Sequence, residues 1–293
     1  MRFVASIAMV DPSYYLPLAR AAEASGFDVI TLADSVCYPE ESSSTYPYNR
    51  DGSREFLENK PFIETVVAMA AMGAVTERIG FCPFVLKMPI RHPVLLAKQV
   101  TSLAVLTGGR IALGVGTSPW PDDYEVVGLP WAGRGRRFEE CIAVVRGLTA
   151  GGYFEFHGEF YDFPAIKLNP VPEAAVPILI GGHSDINIER TGRLGDGWMA
   201  ATFMPDEQLT GVIERIRGVR AEQGRSGPFD IYATTGDSFH AAGISRLEEL
   251  GVTHTMGGFT GFDPYGPAAD TETLQEKIDA LHRYGDEVIA RVR

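Results

Sequence analysis

Short apolar runs alternate with longer amphipathic ones along almost the whole chain. Apolar runs at residues 3–8, 28–32, 79–88, 111–115, 177–180, 197–201, 230–234 and 252–256 predict strands. Between them, residues 11–26, 61–76, 93–107, 137–148, 185–194, 205–225, 238–250 and 271–292 predict helices. Leu16, Ala19 and Ala22 line one face of the first helix and Gly26 stops it, while Pro61 and Pro93 suit first helical turns. Residues 153–177 break the alternation: YFEFHGEFYDF alternates by two around His157-Gly158 and predicts an inserted hairpin before strand five. Eight strand–helix units without a low-complexity linker predict an α/β fold with residues 1–293 as a single domain. Right-handed crossovers of eight such units close a TIM (β/α)8 barrel, and a doubly wound open sheet is the rival that the same pattern allows. In a barrel, the loops after strands two, four and five lie at the carboxyl end, where active sites are built.

Composition narrows the function classes. With 45% hydrophobic residues the chain has material for a large core, and its net charge of −12 argues against nucleic acid or an anionic membrane as partner. Cys37, Cys82 and Cys141 form no CxxC, so neither a disulfide framework nor a zinc site is expected, and a cytoplasmic setting is. There is no HExxH, no metal triad and no GxSxG elbow. A barrel mouth rich in glycine and aromatics but poor in acid–base groups fits a bound cofactor that carries the chemistry.

Four stretches carry the candidate site. In ILIGGHSDINIER, Gly181 and Gly182 end a strand and Ser184 or Asp185 can cap the next helix; this start suits a phosphate, with His183 as a hydrogen-bond donor. In IGFCPFVLK, Pro83 donates no ladder hydrogen bond, which points to a bulge or to a strand end. In TLADSVCYPEESSSTYPYNRDG, Asp34 and Ser35 follow strand two as catalytic candidates. Tyr38, Tyr46 and Tyr48 offer a pocket for a flat polar ligand, or a surface loop. In GVGTSPWPDDYE, Gly114 and Gly116 open space and Trp120 and Trp131 can wall a pocket. Arg134, Arg136 and Arg137 either meet an anionic tail or answer Glu139 and Glu140.

Taken in order, ITLADSVCYPEESSSTYPYNRDG, TERIGFCPFVLKMPIRHPVLLAKQVTSLAVLTGGRIALGVG, GRGRRFEECIAVVRGL, FHGEFYDF and PILIGGHSDINIERTGRLGDGW resemble the luciferase-like monooxygenase superfamily, nearest its coenzyme F420-dependent oxidoreductase branch. The resemblance covers about residues 1–200 and implies a luciferase-like TIM barrel, a homodimer, and coenzyme F420, favoured over FMN, at the carboxyl end. It implies that Gly181, Gly182, His183 and Ser184 hold the cofactor phosphate. It also implies a non-prolyl cis peptide near Phe84-Val85, so that Pro83, Phe84, Val85, Ser35 and Gly116 lie against the ring system. The sequence departs from the family at three places. Ser35 stands for a usual His, Cys82-Pro83-Phe84 for Gly-Thr-Gly, and Gly116-Thr117 for a Glu used by some F420 dehydrogenases. The expected activity is hydride transfer between F420, or FMN, and a small organic substrate. The alternatives are an FMN monooxygenase using reduced flavin from a partner reductase and O2, and a non-catalytic flavin-binding barrel, which the loss of the His motivates.

Overall fold

We describe a computed structural model of the protein, covering residues 1–42, 44–46, 52–258 and 271–293. Its strands are β1 (Arg2–Ser6), β2 (Val29–Leu32), β3 (Gly80–Pro83), β4 (Leu86–Lys87), β5 (Leu113–Gly116), β6 (Phe154–His157), β7 (Asp162–Ile166), β8 (Ile178–Gly181), β9 (Gly197–Met199), β10 (Asp230–Tyr232) and β11 (His254–Gly257). The main helices are α1 (Tyr15–Ala24), α2 (Thr65–Gly73), α3 (Pro93–Leu106), α4 (Pro121–Glu125), α5 (Arg134–Thr149), α6 (Asp185–Leu194), α7 (Asp206–Glu222), α8 (Ala241–Leu250) and α9 (Leu274–Tyr284).

One sheet runs β3-β2-β1-β11-β10-β9-β8-β5-β4, and all its pairings are parallel. Its two ends, β3 and β4, are halves of one stave. The bridge between Phe81 and Ile111 joins that stave to the next, so the sheet curls into a barrel of eight staves. The open-sheet rival is thereby excluded. β6 and β7 pair antiparallel as the inserted hairpin, which turns through residues 158–161 and not at His157-Gly158 alone. Its Phe154 ring packs so closely on α5 that a Cβ at Gly147 would lie 2.3 Å from it.

Local chemistry moves several predicted boundaries. α2 begins at Thr65, not at Pro61, because the Glu64 carboxylate caps it by accepting from the Val67 N–H at 2.9 Å. α1 is preceded by a 3-10 turn at Pro12–Tyr14, where Asp11 accepts from the Ser13 N–H. α3 starts at Pro93 and α6 at Asp185, as the pattern predicts.

Two apolar regions result. A large one lies between the staves and the helices. The other fills the barrel itself, from Val4, Val29, Cys82, Leu179, Met199, Tyr232 and Met256, with Phe84, Val85 and Ala112 packed on it. At the amino end of the barrel, His254 is 1% exposed and its ring stacks on that of Tyr232, with centroids 4.0 Å apart and planes nearly parallel at 7°. Burial, then the positive charges of Arg2 and the chain start, push its pKa down to about 3. The folded chain therefore keeps His254 neutral while the unfolded chain protonates near pH 6.5. The contribution is present above pH 6.5 and is lost as pH falls toward 3. Denaturant unfolding at pH 7 and pH 5 is expected to show a loss of about 2 kcal/mol from this group. The same pair of measurements on His254→Gln should show a shallower loss, and equal losses in the two proteins would refute the assignment.

Candidate active site

The third stave is interrupted where it reaches the carboxyl end. Pro83 pairs with Leu32, the Phe84–Val85 peptide is cis, and β4 then resumes with β5 as its partner. Pro83, which lacks an N–H, thus sits where the ladder changes sides. The Phe84 N–H bonds the Leu32 carbonyl at 2.7 Å. Val85 fits between two glycines: a Cβ at Gly116 would lie 2.8 Å from its Cγ2, and one at Gly181 2.9 Å from its Cγ1. Phe84 and Val85 are both half-buried and cap the packed interior.

Across the mouth, β8 ends in the glycine turn. Gly182 has φ +114°, and a Cβ there would meet Asn187 Nδ2 at 2.6 Å. Its carbonyl accepts from Trp198 Nε1 at 2.9 Å. Ser184 caps α6, its hydroxyl accepting from the Asn187 N–H at 3.3 Å, and the negative charge of Asp185 is drawn toward Arg215 at 2.8 Å. The first N–H groups of α6 remain as donors to an anion. His183 Nε2 accepts from the Ala201 N–H at 2.8 Å, which assigns the ring proton to Nδ1. Burial lowers its pKa, so the imidazole is neutral at pH 7. Nδ1 thus carries the ring proton beside a helix start.

Asp34 is placed differently from the expectation that it acts as a catalyst. Its carboxylate, 1% exposed, accepts from Lys87 N–H, from Arg91 Nη1 and Nη2, all at 2.8 Å, and from Thr65 Oγ1 at 3.2 Å. A carboxylate so occupied has its oxygens taken up by the protein and ties the stave beyond the bulge to the loop after β2. Ser35 follows it, half-buried. Cys37 is a half-buried thiol whose pKa is pushed up by burial and then by Asp123.

The loops after β2 and β5 are clasped together. Trp120, 3% exposed, packs on Tyr46 with ring centroids 5.1 Å apart, and the Arg54 guanidinium lies 4.2 Å from its ring. Trp120 thus serves as a loop clasp and has little surface left for a ligand. Tyr38 is 37% exposed, with Arg54 5.6 Å from its ring, and Tyr48 lies outside the described residues. Lys87 Nζ pairs with Asp123 at 2.7 Å, and Ser118 donates to the same carboxylate oxygen.

The arginine cluster does not answer Glu139 and Glu140. Arg134 covers Trp131 at 3.7 Å, Arg136 pairs with Glu159 at 2.8 Å, and Arg137 bonds the Pro130 carbonyl at 3.1 Å. Glu139 is taken by Arg190 and Arg193, and Glu140 by the N–H groups of Glu159, Phe160 and Tyr161. Sequence reasoning missed Lys87, Asp123, Arg54 and Asp122. The Lys87 signal was its place just past the suspected bulge.

These features make a parallel barrel with an interrupted third stave and a glycine turn opening α6, and the family comparison agrees with them. Residues 3–284 match the family model for luciferase-like monooxygenases, and the chain belongs to that family. It is 53% identical over 292 residues to an uncharacterized protein of Mycobacterium tuberculosis, covering 100% of both. It is 29% identical over 238 residues to an F420-dependent glucose-6-phosphate dehydrogenase of Nocardia farcinica, covering 76% of this chain and 64% of that protein. An FMNH2-dependent dimethylsulfone monooxygenase of Pseudomonas putida is 28% identical over 222 residues, covering 74% and 55%. In structure, the monooxygenase RslO1 from Streptomyces bottropensis superposes with a TM-score of 0.79 at 16% identity over 100% of both chains. Among the described residues, no helix is long and apolar enough to cross a membrane, and no group of three metal-binding side chains occurs.

Proposed function

We propose that the protein is an oxidoreductase that moves a hydride between coenzyme F420, or FMN, and a small organic substrate at the barrel mouth. The observation that carries this reading is the Gly182 turn, at φ +114° and packed on Asn187, which opens α6 beside the neutral His183. Gly181, Gly182, His183 and Ser184 would hold the phosphate, and Pro83, Phe84, Val85, Gly116 and Ser35 would contact the ring system. When bound, the cofactor supplies the hydride chemistry. The chain's own part is to bind the anionic end, back the ring with apolar surface and orient the substrate. F420 is favoured by the sequence resemblance, and the Nocardia relative is in keeping with it.

Titration of the purified protein with F420 and with FMN tests this. Saturable binding of one of them near micromolar concentration is expected, and no binding of either removes the proposal. His183→Ala is expected to weaken the bound cofactor by about 1–2 kcal/mol, roughly 5- to 30-fold, through loss of one hydrogen bond to a charged group. An unchanged dissociation constant would make the turn merely structural. The Pseudomonas relative favours a second reading, an FMN monooxygenase fed by a partner reductase, for which O2 uptake with reduced FMN is the discriminating measurement.

A further inference from the structure

Phe203, in the loop between β9 and α7, is 62% exposed, although burial of a phenyl side chain is ordinarily favourable. Its ring runs nearly parallel to that of Phe239, in the loop after β10, at 16° with centroids 6.2 Å apart. The Phe203 loop is anchored to the glycine turn, since the Ala201 N–H donates to His183 Nε2 at 2.8 Å. Phe203 comes two residues later, so its Cα lies within about 7.6 Å of the Ala201 Cα. The two rings therefore stand at the carboxyl end of the barrel, beside the turn.

The sheet order fixes what faces them. From β9 to β2 there are four steps by way of β10, β11 and β1, and four by way of β8, β5 and the interrupted stave. The loops after β2 and β9 thus oppose each other across the mouth. The β2 loop brings Tyr38 and the 47% exposed Val36, and the interrupted stave brings the half-buried Phe84 and Val85. A single exposed apolar residue needs no explanation, but apolar groups on opposite sides of one opening mark a place where an apolar molecule settles. A charged molecule finds less there. Arg54, Lys87 and Arg91 pair with Asp122, Asp123 and Asp34, and Arg215 on α7 pairs with Asp185. A charge lying between the apolar walls would meet counter-ions already taken, at a desolvation cost that a neutral ring avoids.

We propose that Phe203 receives the ring of an uncharged aromatic substrate by stacking on it, so that this residue selects neutral, ring-bearing molecules at the mouth. The proposal rests on the oxidoreductase reading of the mouth given above. Calorimetric titration of the full chain with benzamide, benzoate, benzylammonium and hexanamide tests it, with and without whichever of F420 and FMN the chain takes up. The first three probes share a ring and differ in charge, and the fourth is uncharged and has no ring. Benzamide is expected to bind at least about ten-fold tighter than each of the others. Phe203→Ala should weaken benzamide at least about five-fold, and Phe203→Tyr, which keeps the ring, should stay within about two-fold of the parent. Both variants should leave cofactor affinity within about two-fold.

The proposal is overturned if benzamide does not bind up to about 10 mM or if any of the other three probes matches it. It is also overturned if Phe203→Ala binds benzamide as the parent does, or if Phe203→Tyr loses as much as Phe203→Ala. A change in sedimentation of Phe203→Ala with benzamide binding intact would overturn it as well, because the open ring then serves contact between copies of the chain. The comparison of the four probes needs no variant, so it decides even where a variant fails to fold. Uptake of a cofactor without benzamide binding would sink this proposal alone. Benzamide binding that depends on Phe203 in a chain that takes up neither F420 nor FMN would keep the ring site and sink the oxidoreductase reading.

Discussion

Gly114→Ala is expected to leave little folded protein. The added Cβ would lie 2.0 Å from the Pro83 carbonyl oxygen, 2.5 Å from Met199 Sδ and 3.1 Å from Cys82 Sγ. The sulfur of Met199 can move, but the Pro83 oxygen belongs to a backbone pinned by the pairing of Pro83 with Leu32. The methyl group therefore has to push two staves apart inside a filled barrel. Overpacking of well-packed cores costs about 1–3 kcal/mol and more where backbone must shift, against a total stability of about 5–15 kcal/mol. We expect a loss above about 4 kcal/mol, read as insoluble expression or a melting temperature lowered by more than about 10 °C. Gly218→Ala is the control. It lies within α7 with nothing within 4 Å of its Cβ, so it should gain about 0.5–1 kcal/mol from helix propensity. A Gly114→Ala protein that melts with its parent would show that the barrel interior is looser than described.

Gly182→Val is expected to abolish cofactor binding while sparing the fold. At φ +114° a β-branched residue is strained whatever the space, and here the space is taken as well. The obstacle, Asn187 Nδ2, cannot easily swing away because Arg190 holds Asn187 Oδ1 at 2.8 Å. The substitution thus distorts the turn and displaces the start of α6, where the anionic end of the cofactor would bind. A loss of at least about 100-fold in affinity is expected, with a circular dichroism spectrum like that of the parent. Gly182→Ala should lose less, since it adds one methyl and no branching. Retention of parental affinity by the valine variant would mean that the anionic end binds elsewhere.

What could be read from the residues and what could not divides along a physical line. Strands such as VITL and ILIG are buried on both sides, so their positions stand out as unbroken apolar runs, and helix starts such as Ser184 carry their own cap. Pro83 marked the third stave as irregular, yet residues 79–88 read as one strand. The resemblance, not the periodicity, pointed to the cis bond at Phe84–Val85. The charge pairs were illegible. Arg54 and Asp122 are 68 positions apart, and Arg91 and Asp34 are 57 apart. They meet only once the barrel has closed and brought the loops together. For the same reason Asp34 looked like a reactive group when read alone, and Trp120 looked like an open wall.

The plug of side chains inside the barrel governs traffic as well as stability. Among the described residues, Val4, Leu179, Tyr232 and Met256 obstruct passage through the barrel from its amino end, which leaves the carboxyl end as the face on which a visiting molecule can settle. Small molecules on this scaffold would therefore enter and leave by the same face.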